Sequence, residues 1–191
     1  TNECIGLILH TSGTESDPKG IVHSFRSFLS NAQNAVAIFE ISPQDAVLEY
    51  RPFSWAAPFC FGCLTQLFSG ATVVFAKKFS QSRFFGWVRK YGITVVGGIP
   101  AVFGSLLSAG AQVKRSDIAR LRFITSSTAP LPASQQKKFV ETYDIPIVTL
   151  YGATEGGWMA FTPPARAKIG SVGKPTVCAN LPGRRRTSST G

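Results

Sequence analysis

Residues 11–20 read Thr-Ser-Gly-Thr-Glu-Ser-Asp-Pro-Lys-Gly and follow directly on the apolar run Ile5-Gly6-Leu7-Ile8-Leu9. Hydroxyls, glycines and one lysine in so short a span suit a polyphosphate. Gly13 and Gly20 let the backbone turn and present its N–H groups, Thr11, Ser12 and Thr14 add hydroxyl donors, and Lys19 brings a compact cation. The Walker form is excluded because no second glycine precedes the lysine, and the dinucleotide fingerprint fails at Glu15. An ordinary polar surface turn draws on the same residue types, so this stretch alone leaves both readings open.

Two further stretches carry matching chemistry. Residues 150–157, Leu-Tyr-Gly-Ala-Thr-Glu-Gly-Gly, offer an aromatic face in Tyr151, a hydroxyl in Thr154 and a carboxylate in Glu155. Those are parts for stacking a purine, touching a phosphate and holding Mg²⁺, which prefers a carboxylate beside phosphate oxygens. Residues 126–131, Ser-Ser-Thr-Ala-Pro-Leu, follow an apolar run and are placed to wall a base with their backbone.

Other clusters are weaker. Cys60 and Cys63 have the spacing of a redox or zinc pair, but no second pair completes four ligands; a helix burying two small sulfur side chains beside Phe59, Phe61 and Leu64 is the favoured reading. His10 and His23 flank the phosphate loop without the spacing of a triad or a metal site, and both are read as structural. The net charge of +10 is spread over separated pairs such as Lys77-Lys78 and Lys137-Lys138, with one dense run at Arg184-Arg185-Arg186. That pattern argues for solvated faces rather than a nucleic-acid surface.

These candidates need elements to position them. With 191 residues, 44% of them hydrophobic, the chain can bury a sizeable core. Ser24 is placed to cap a helix to Phe39 whose stripe contains Phe25, Phe28, Leu29, Ala32, Val36 and Phe39. Strands are expected at residues 46–50, 71–75, 93–96, 121–125 and 146–150. Helices are expected at 58–68, from Ser80 to about 91, at 101–108 and from Pro132 to Tyr143, with a short turn at 116–119. Such alternation specifies an α/β layered domain whose sheet is largely parallel and flanked by helices. In such sheets ligands gather at the carboxyl ends of strands, where all three loops are expected. The first apolar run is too short for a signal-peptide core or a membrane span, so a cytoplasmic protein without a transmembrane segment is expected.

Taken together and in order, these stretches resemble the adenylate-forming (AMP-binding) superfamily of acyl- and aryl-CoA ligases, luciferases and peptide-synthetase adenylation domains. The family's Thr-Ser-Gly-Thr-Thr-Gly-x-Pro-Lys-Gly is matched by residues 11–20 except at Glu15 and Ser16, and its Tyr-Gly-x-Thr-Glu is matched by residues 151–155. Gly98-Ile99-Pro100, Ala129-Pro130-Leu131-Pro132 and Gly170-Ser171-Val172-Gly173-Lys174-Pro175 also resemble family landmarks.

The resemblance implies an acid–thiol ligase using ATP, Mg²⁺ and CoA, in which a fatty or aromatic carboxylic acid becomes an acyl-AMP and then a thioester. It implies that Thr11, Ser12, Gly13, Thr14 and Lys19 cradle the β- and γ-phosphates, that Tyr151 and Gly152 face adenine opposite Ser127, Thr128, Ala129 and Pro130, that Thr154 touches the α-phosphate, and that Glu155 holds Mg²⁺. Lys19, Thr154 and Glu155 are thereby the catalytic candidates. Trp55 stands where relatives often carry a histidine near the acyl channel; it is read as a pocket wall or as a core tryptophan. Gly152, Gly157 and Trp158 are further candidates for the acid site. Glu15 puts a negative charge in a phosphate loop, and Ser127 and Thr128 stand where relatives favour glycines. Residues 1–177 are expected to form a partial adenylation domain lacking the family's ribose-binding aspartate, hinge and C-terminal lysine, hence incomplete on its own. Residues 178–191 are expected to be an unrelated basic tail, of reading-frame or gene-boundary origin. The competing readings are a non-catalytic nucleotide-binding module derived from this fold and an amino-acid adenylation domain.

Overall fold

The computed structural model describes residues 4–11 and 19–176. Its centre is a seven-stranded sheet in the order β4-β3-β5-β6-β7-β8-β9. The strands are β3 (Ala46–Glu49), β4 (Thr72–Phe75), β5 (Val95–Val96), β6 (Phe123–Ser126), β7 (Ile147–Ala153), β8 (Gly157–Phe161) and β9 (Lys174–Pro175). From β4 to β7 all pairings are parallel, and β8 and β9 add antiparallel to that edge. The expected α/β architecture is therefore observed, with an antiparallel extension that the sequence pattern missed.

Strand alternation divides the core in two. Val47, Val95, Phe123 and Val148 face one side, where α1 (Phe25–Phe39) and a π-helical segment (Pro58–Leu64) supply Phe28, Ala32, Ala35, Phe39 and Phe61. Leu48, Val96, Ile124 and Ile147 face the other, against α3 (Phe84–Lys90), α4 (Pro100–Ala109) and α5 (Ala133–Tyr143). The period of two in the strands and the helical stripes opposite them thus bury one layer of apolar surface on each face.

Local chemistry explains the boundaries. Ser24 caps α1 by accepting a hydrogen bond from the Ser27 N–H at 3.2 Å, and Glu40 ends it in the left-handed conformation. The helix buries Phe28, Ala32, Ala35 and Phe39, whereas Phe25 and Leu29, expected on the same stripe, are exposed. The single helix expected over residues 58–68 is two pieces: after the π-helical turns, α2 runs Thr65–Ser69. Cys60 and Cys63 lie in that helical segment as expected, with Cys60 buried among aromatic residues.

The first strand departs from expectation. β1 (Ile5–Thr11) does not enter the central sheet; it pairs antiparallel with β2 (Lys19–Ser24) in a separate two-stranded ribbon. The phosphate-loop stretch accordingly follows a ribbon strand and not the carboxyl end of a parallel one. The sequence reading ends the loop at Gly20 and places the helix cap at Ser24, with no strand expected between them, where β2 lies. No helix among the described residues is long and apolar enough to cross a membrane.

Candidate active site

The last residues of β3 begin the site. Glu49 and Arg51 form a buried ion pair, with Arg51 Nη2 at 2.6 Å and Nε at 2.8 Å from the two Glu49 oxygens. Glu49 Oε1 also accepts from the backbone N–H groups of Tyr50 and Arg51, so the carboxylate is saturated with donors. Arg51 Nη1 reaches on to Ser127 Oγ at 3.4 Å. This chain of contacts links the end of β3 to the loop after β6. Gly97, at the end of β5, leaves room for the guanidinium; a Cβ there would strike Arg51 Nη2.

The loop after β6 continues through Thr128, held at φ 74° although β-branched. Alongside it, β7 and β8 form a hairpin whose turn contains Thr154, Glu155 and Gly156. Between these loops, the ribbon, α1 and the segment after β3 lies a cleft of about 570 Å³. Its polar wall includes Thr11, Ser127, Thr128, Gly152 and Thr154. Its apolar wall includes Leu9, Phe28, Ala56, Ala57, Cys60 and Trp158. Burial pushes the Cys60 thiol up to about 12, the Trp158 indole acting in the opposite sense, so Cys60 is a protonated wall residue rather than a nucleophile at neutral pH.

The structure brings together most of the residues singled out from sequence. Thr11, Trp55, Ser127, Thr128, Gly152, Thr154, Gly157 and Trp158 line one cleft. Trp55 is 45% exposed, which overturns the reading of it as a core tryptophan; Trp158, at 9%, serves both core and cleft. Lys19 is exposed at the start of β2, opposite Thr11 in the ribbon, and is not among the lining residues. Tyr151, Ala129 and Pro130 are exposed beside the cleft, outside its lining. Glu155 is exposed in the β7–β8 turn and makes no ion pair among the described residues, leaving its carboxylate available to a cation. Ser12, Gly13 and Thr14 lie outside the described residues, as does the tail 178–191.

Several lining residues escaped the sequence reading, among them His10, also taken as structural, and His23, Phe28 and Asn31. His23, taken as structural, is buried on the inner face of β2 and lines the cleft, with its ring edge-on to Phe28 at 4.9 Å between centroids. Phe28 and Asn31 lie one turn apart on α1, and Asn31 Oδ1 accepts from the backbone N–H of Trp158 at 3.5 Å. Gly157 holds φ 63°, and a Cβ there would collide with Asn31, so α1 and β8 meet closely only because position 157 has no side chain. Reading residues 19–24 as a strand would have put His23 on the ribbon's buried face, opposite to Val22.

An α/β layered domain with a cleft of this make-up has the architecture of the large domain of adenylate-forming ligases. Comparison with known proteins identifies the family directly: the profile described as AMP-binding enzyme matches residues 2–181, and the chain belongs to that family. Curated relatives include oxalate–CoA ligase of Arabidopsis thaliana, 30% identical over 175 residues that cover 88% of this chain and 34% of that protein. Indoleacetate–CoA ligase of Aromatoleum aromaticum is 31% identical, with 88% and 33% covered. The ATP-bound crystal structure of MatB from Rhodopseudomonas palustris superposes with a TM-score of 0.86 at 22% identity, covering 92% of this chain and 35% of that one. An anthranilate–CoA ligase, AuaEII, in complex with anthranoyl-AMP gives 0.82, also at 22% identity. The chain spans about a third of the length of the curated relatives it matches.

Proposed function

We propose that this chain supplies the nucleotide- and acid-holding part of an ATP-dependent acid–CoA ligase acting on a fatty or aromatic carboxylic acid. The observation that carries the reading is the convergence of Thr11, the Ser127–Thr128 loop, Thr154 and the two tryptophans on one cleft. In the proposed reaction a carboxylate oxygen attacks the α-phosphorus of ATP and the bond to pyrophosphate breaks. A thiol sulfur then attacks the acyl carbon, losing its proton as AMP departs. Such chemistry is mostly positioning and charge stabilisation, which is what strand-end loops provide.

In this reading Thr11, Ser12, Gly13, Thr14 and Lys19 hold the β- and γ-phosphates. Tyr151 covers one face of adenine while Ser127, Thr128, Ala129 and Pro130 approach the other. Thr154 donates to the α-phosphate. Glu155, exposed and without an ion pair among the described residues, fits a Mg²⁺ ligand, and the cation would neutralise charge on the phosphates. Trp55, Gly152, Gly157 and Trp158 bound the acid. No aspartate or glutamate is among the described lining residues, which favours a plain acid over an amino acid, whose ammonium would need a partner.

Calorimetric titration of the chain with Mg-ATP and with an N-acylsulfamoyl adenosine, a stable mimic of acyl-AMP, tests the reading. The mimic is expected to bind tighter than AMP, and Lys19→Ala to weaken ATP more than AMP. Binding of ATP with no gain from the acyl group would favour the non-catalytic module instead.

A further inference from the structure

A second cavity, of about 540 Å³, opens at the edge of the sheet between β4 and α3. It shares no lining residue with the cleft and lies on the other face: Leu48 and Val74 beneath it pack towards α3, whereas Phe28, Cys60 and Trp158 of the cleft belong to the α1 side. α3 starts by the carboxyl end of β4 and runs back along the sheet, since Thr94, just beyond it, donates its N–H to the Ala46 carbonyl at the start of β3 at 2.8 Å. Arg83, Trp87 and Tyr91 are joined by successive helical hydrogen bonds of 2.8 and 3.0 Å. They therefore form one stripe, each about 6 Å further along the helix than the last. All three line the cavity. Lys77 and Lys78, which follow directly on β4, line it at the Arg83 end, where the Ser80 and Ser82 hydroxyls lie 3.4 Å apart.

Polarity along the cavity is therefore graded. Lys77, Lys78 and Arg83 are exposed and form no ion pair among the described residues, and no aspartate or glutamate is among the described residues lining the cavity. Beyond them the walls turn apolar and aromatic. Lys90 Nζ sits 5.1 Å from the Tyr91 ring centre, which leaves the half-buried Trp87 as the ring open to a ligand. We propose that this cavity binds a nucleoside phosphate, with the phosphate on Lys77, Lys78 and Arg83 and the base against Trp87. A phosphate monoester carries a charge of about −1.5 to −2 and three acceptor oxygens, which suits three cations better than a single carboxylate does. A base stacks on an indole whatever its identity, and one sugar spans the step from Arg83 to Trp87. Inorganic phosphate would leave the ring unused, and an apolar acid would leave the cations without a partner. A free mononucleotide and the nucleotide head of coenzyme A share this chemistry and differ in a 3′-phosphate. The site is separate from the ligase reading and stands or falls without it.

The test follows the indole N–H resonances of the three tryptophans in the isotopically labelled intact chain, assigned through Trp55→Phe, Trp87→Phe and Trp158→Phe. AMP, adenosine 3′,5′-bisphosphate and inorganic phosphate are the probes. The Trp87 signal is expected to move saturably with the nucleotides; a lower midpoint for the bisphosphate identifies the head of coenzyme A, and equal midpoints identify a free mononucleotide. Lys78→Gln and Arg83→Gln should each raise that midpoint about fivefold or more. Both side chains are exposed, so these variants keep the fold. Any response of Trp55 and Trp158, which line the cleft, should be the same in the variants as in the parent. A Trp87 signal that stays still with both nucleotides would overturn the proposal, whatever the cleft tryptophans do, since theirs report the ligase reading alone. A midpoint indifferent to both charge removals would overturn it as well. So would inorganic phosphate moving the Trp87 signal at the same midpoint as AMP, because the ring would then have no part in binding.

Discussion

Thr128 holds a φ of 74° that an unbranched glycine adopts freely and a β-branched side chain does not. Such a residue costs about 1–3 kcal/mol, so Thr128→Gly is expected to stabilise the fold by about 1 kcal/mol after the extra flexibility of the unfolded chain is subtracted. Urea unfolding measures it, and a loss of stability would show that the Thr128 hydroxyl matters more than its backbone. The two tryptophans separate in the same way. Trp55 is 45% exposed on the cleft, so Trp55→Ala should change stability by less than about 0.5 kcal/mol while weakening an acyl-adenylate mimic. Trp158 is packed among Phe28, Phe39 and Val148 in the core, and Trp158→Ala should cost about 3–5 kcal/mol. Equal destabilisation by the two substitutions would return Trp55 to the core.

At the scale of elements, what positions the loop after β6 is the buried pair at the end of β3. Arg51 satisfies Glu49 and reaches Ser127, so it ties the loop after β6 to the end of β3 across the intervening β5. Arg51→Met leaves Glu49 buried and unpaired and should cost about 3–5 kcal/mol. The double change Glu49→Leu with Arg51→Met should recover most of that stability yet leave ATP binding weak, because the Ser127 anchor stays lost. Full recovery of both in the double variant would reduce the pair to a packing device. None of this was legible beforehand, since a carboxylate and a guanidinium two residues apart in a strand read as surface charges until the fold buries them. The parallel strands were legible because they are built on short apolar runs between turn residues, as in Ala46-Val47-Leu48 and Val73-Val74-Phe75. β8 and β9 were not: Gly157–Phe161 is apolar at every position after its glycine and lacks polar alternation, and Lys174–Pro175 is a two-residue edge.

At the scale of the whole molecule, the starts of the parallel strands, at the opposite end from the cleft, are held by one carboxylate. Asp45, buried before β3, accepts from Thr94 Oγ1 at 2.6 Å, from the Ser42 N–H at 2.9 Å and from Arg122 at 2.9 and 3.0 Å. Arg122 in turn donates to the Phe39 and Glu40 carbonyls at the end of α1, so a single group joins β3, β5, β6 and the helix that floors the cleft. Burial pushes the Asp45 carboxyl up, but hydrogen bonds from Thr94, Ser42 and Arg122, with the charge of Arg122, outweigh it and hold it below the usual range. A carboxyl whose folded value is depressed contributes stability that is complete above its unfolded value, near pH 4, and is lost as the pH falls through the lower folded value. Asp45→Asn is therefore expected to cost about 1–3 kcal/mol at neutral pH, with the gap between parent and variant narrowing below about pH 4. Denaturant midpoints measured from neutral pH down through that range read the difference directly. A gap that widened on acidification would mean that Asp45 is protonated in the folded protein and that Arg122 holds α1 through its carbonyl contacts alone.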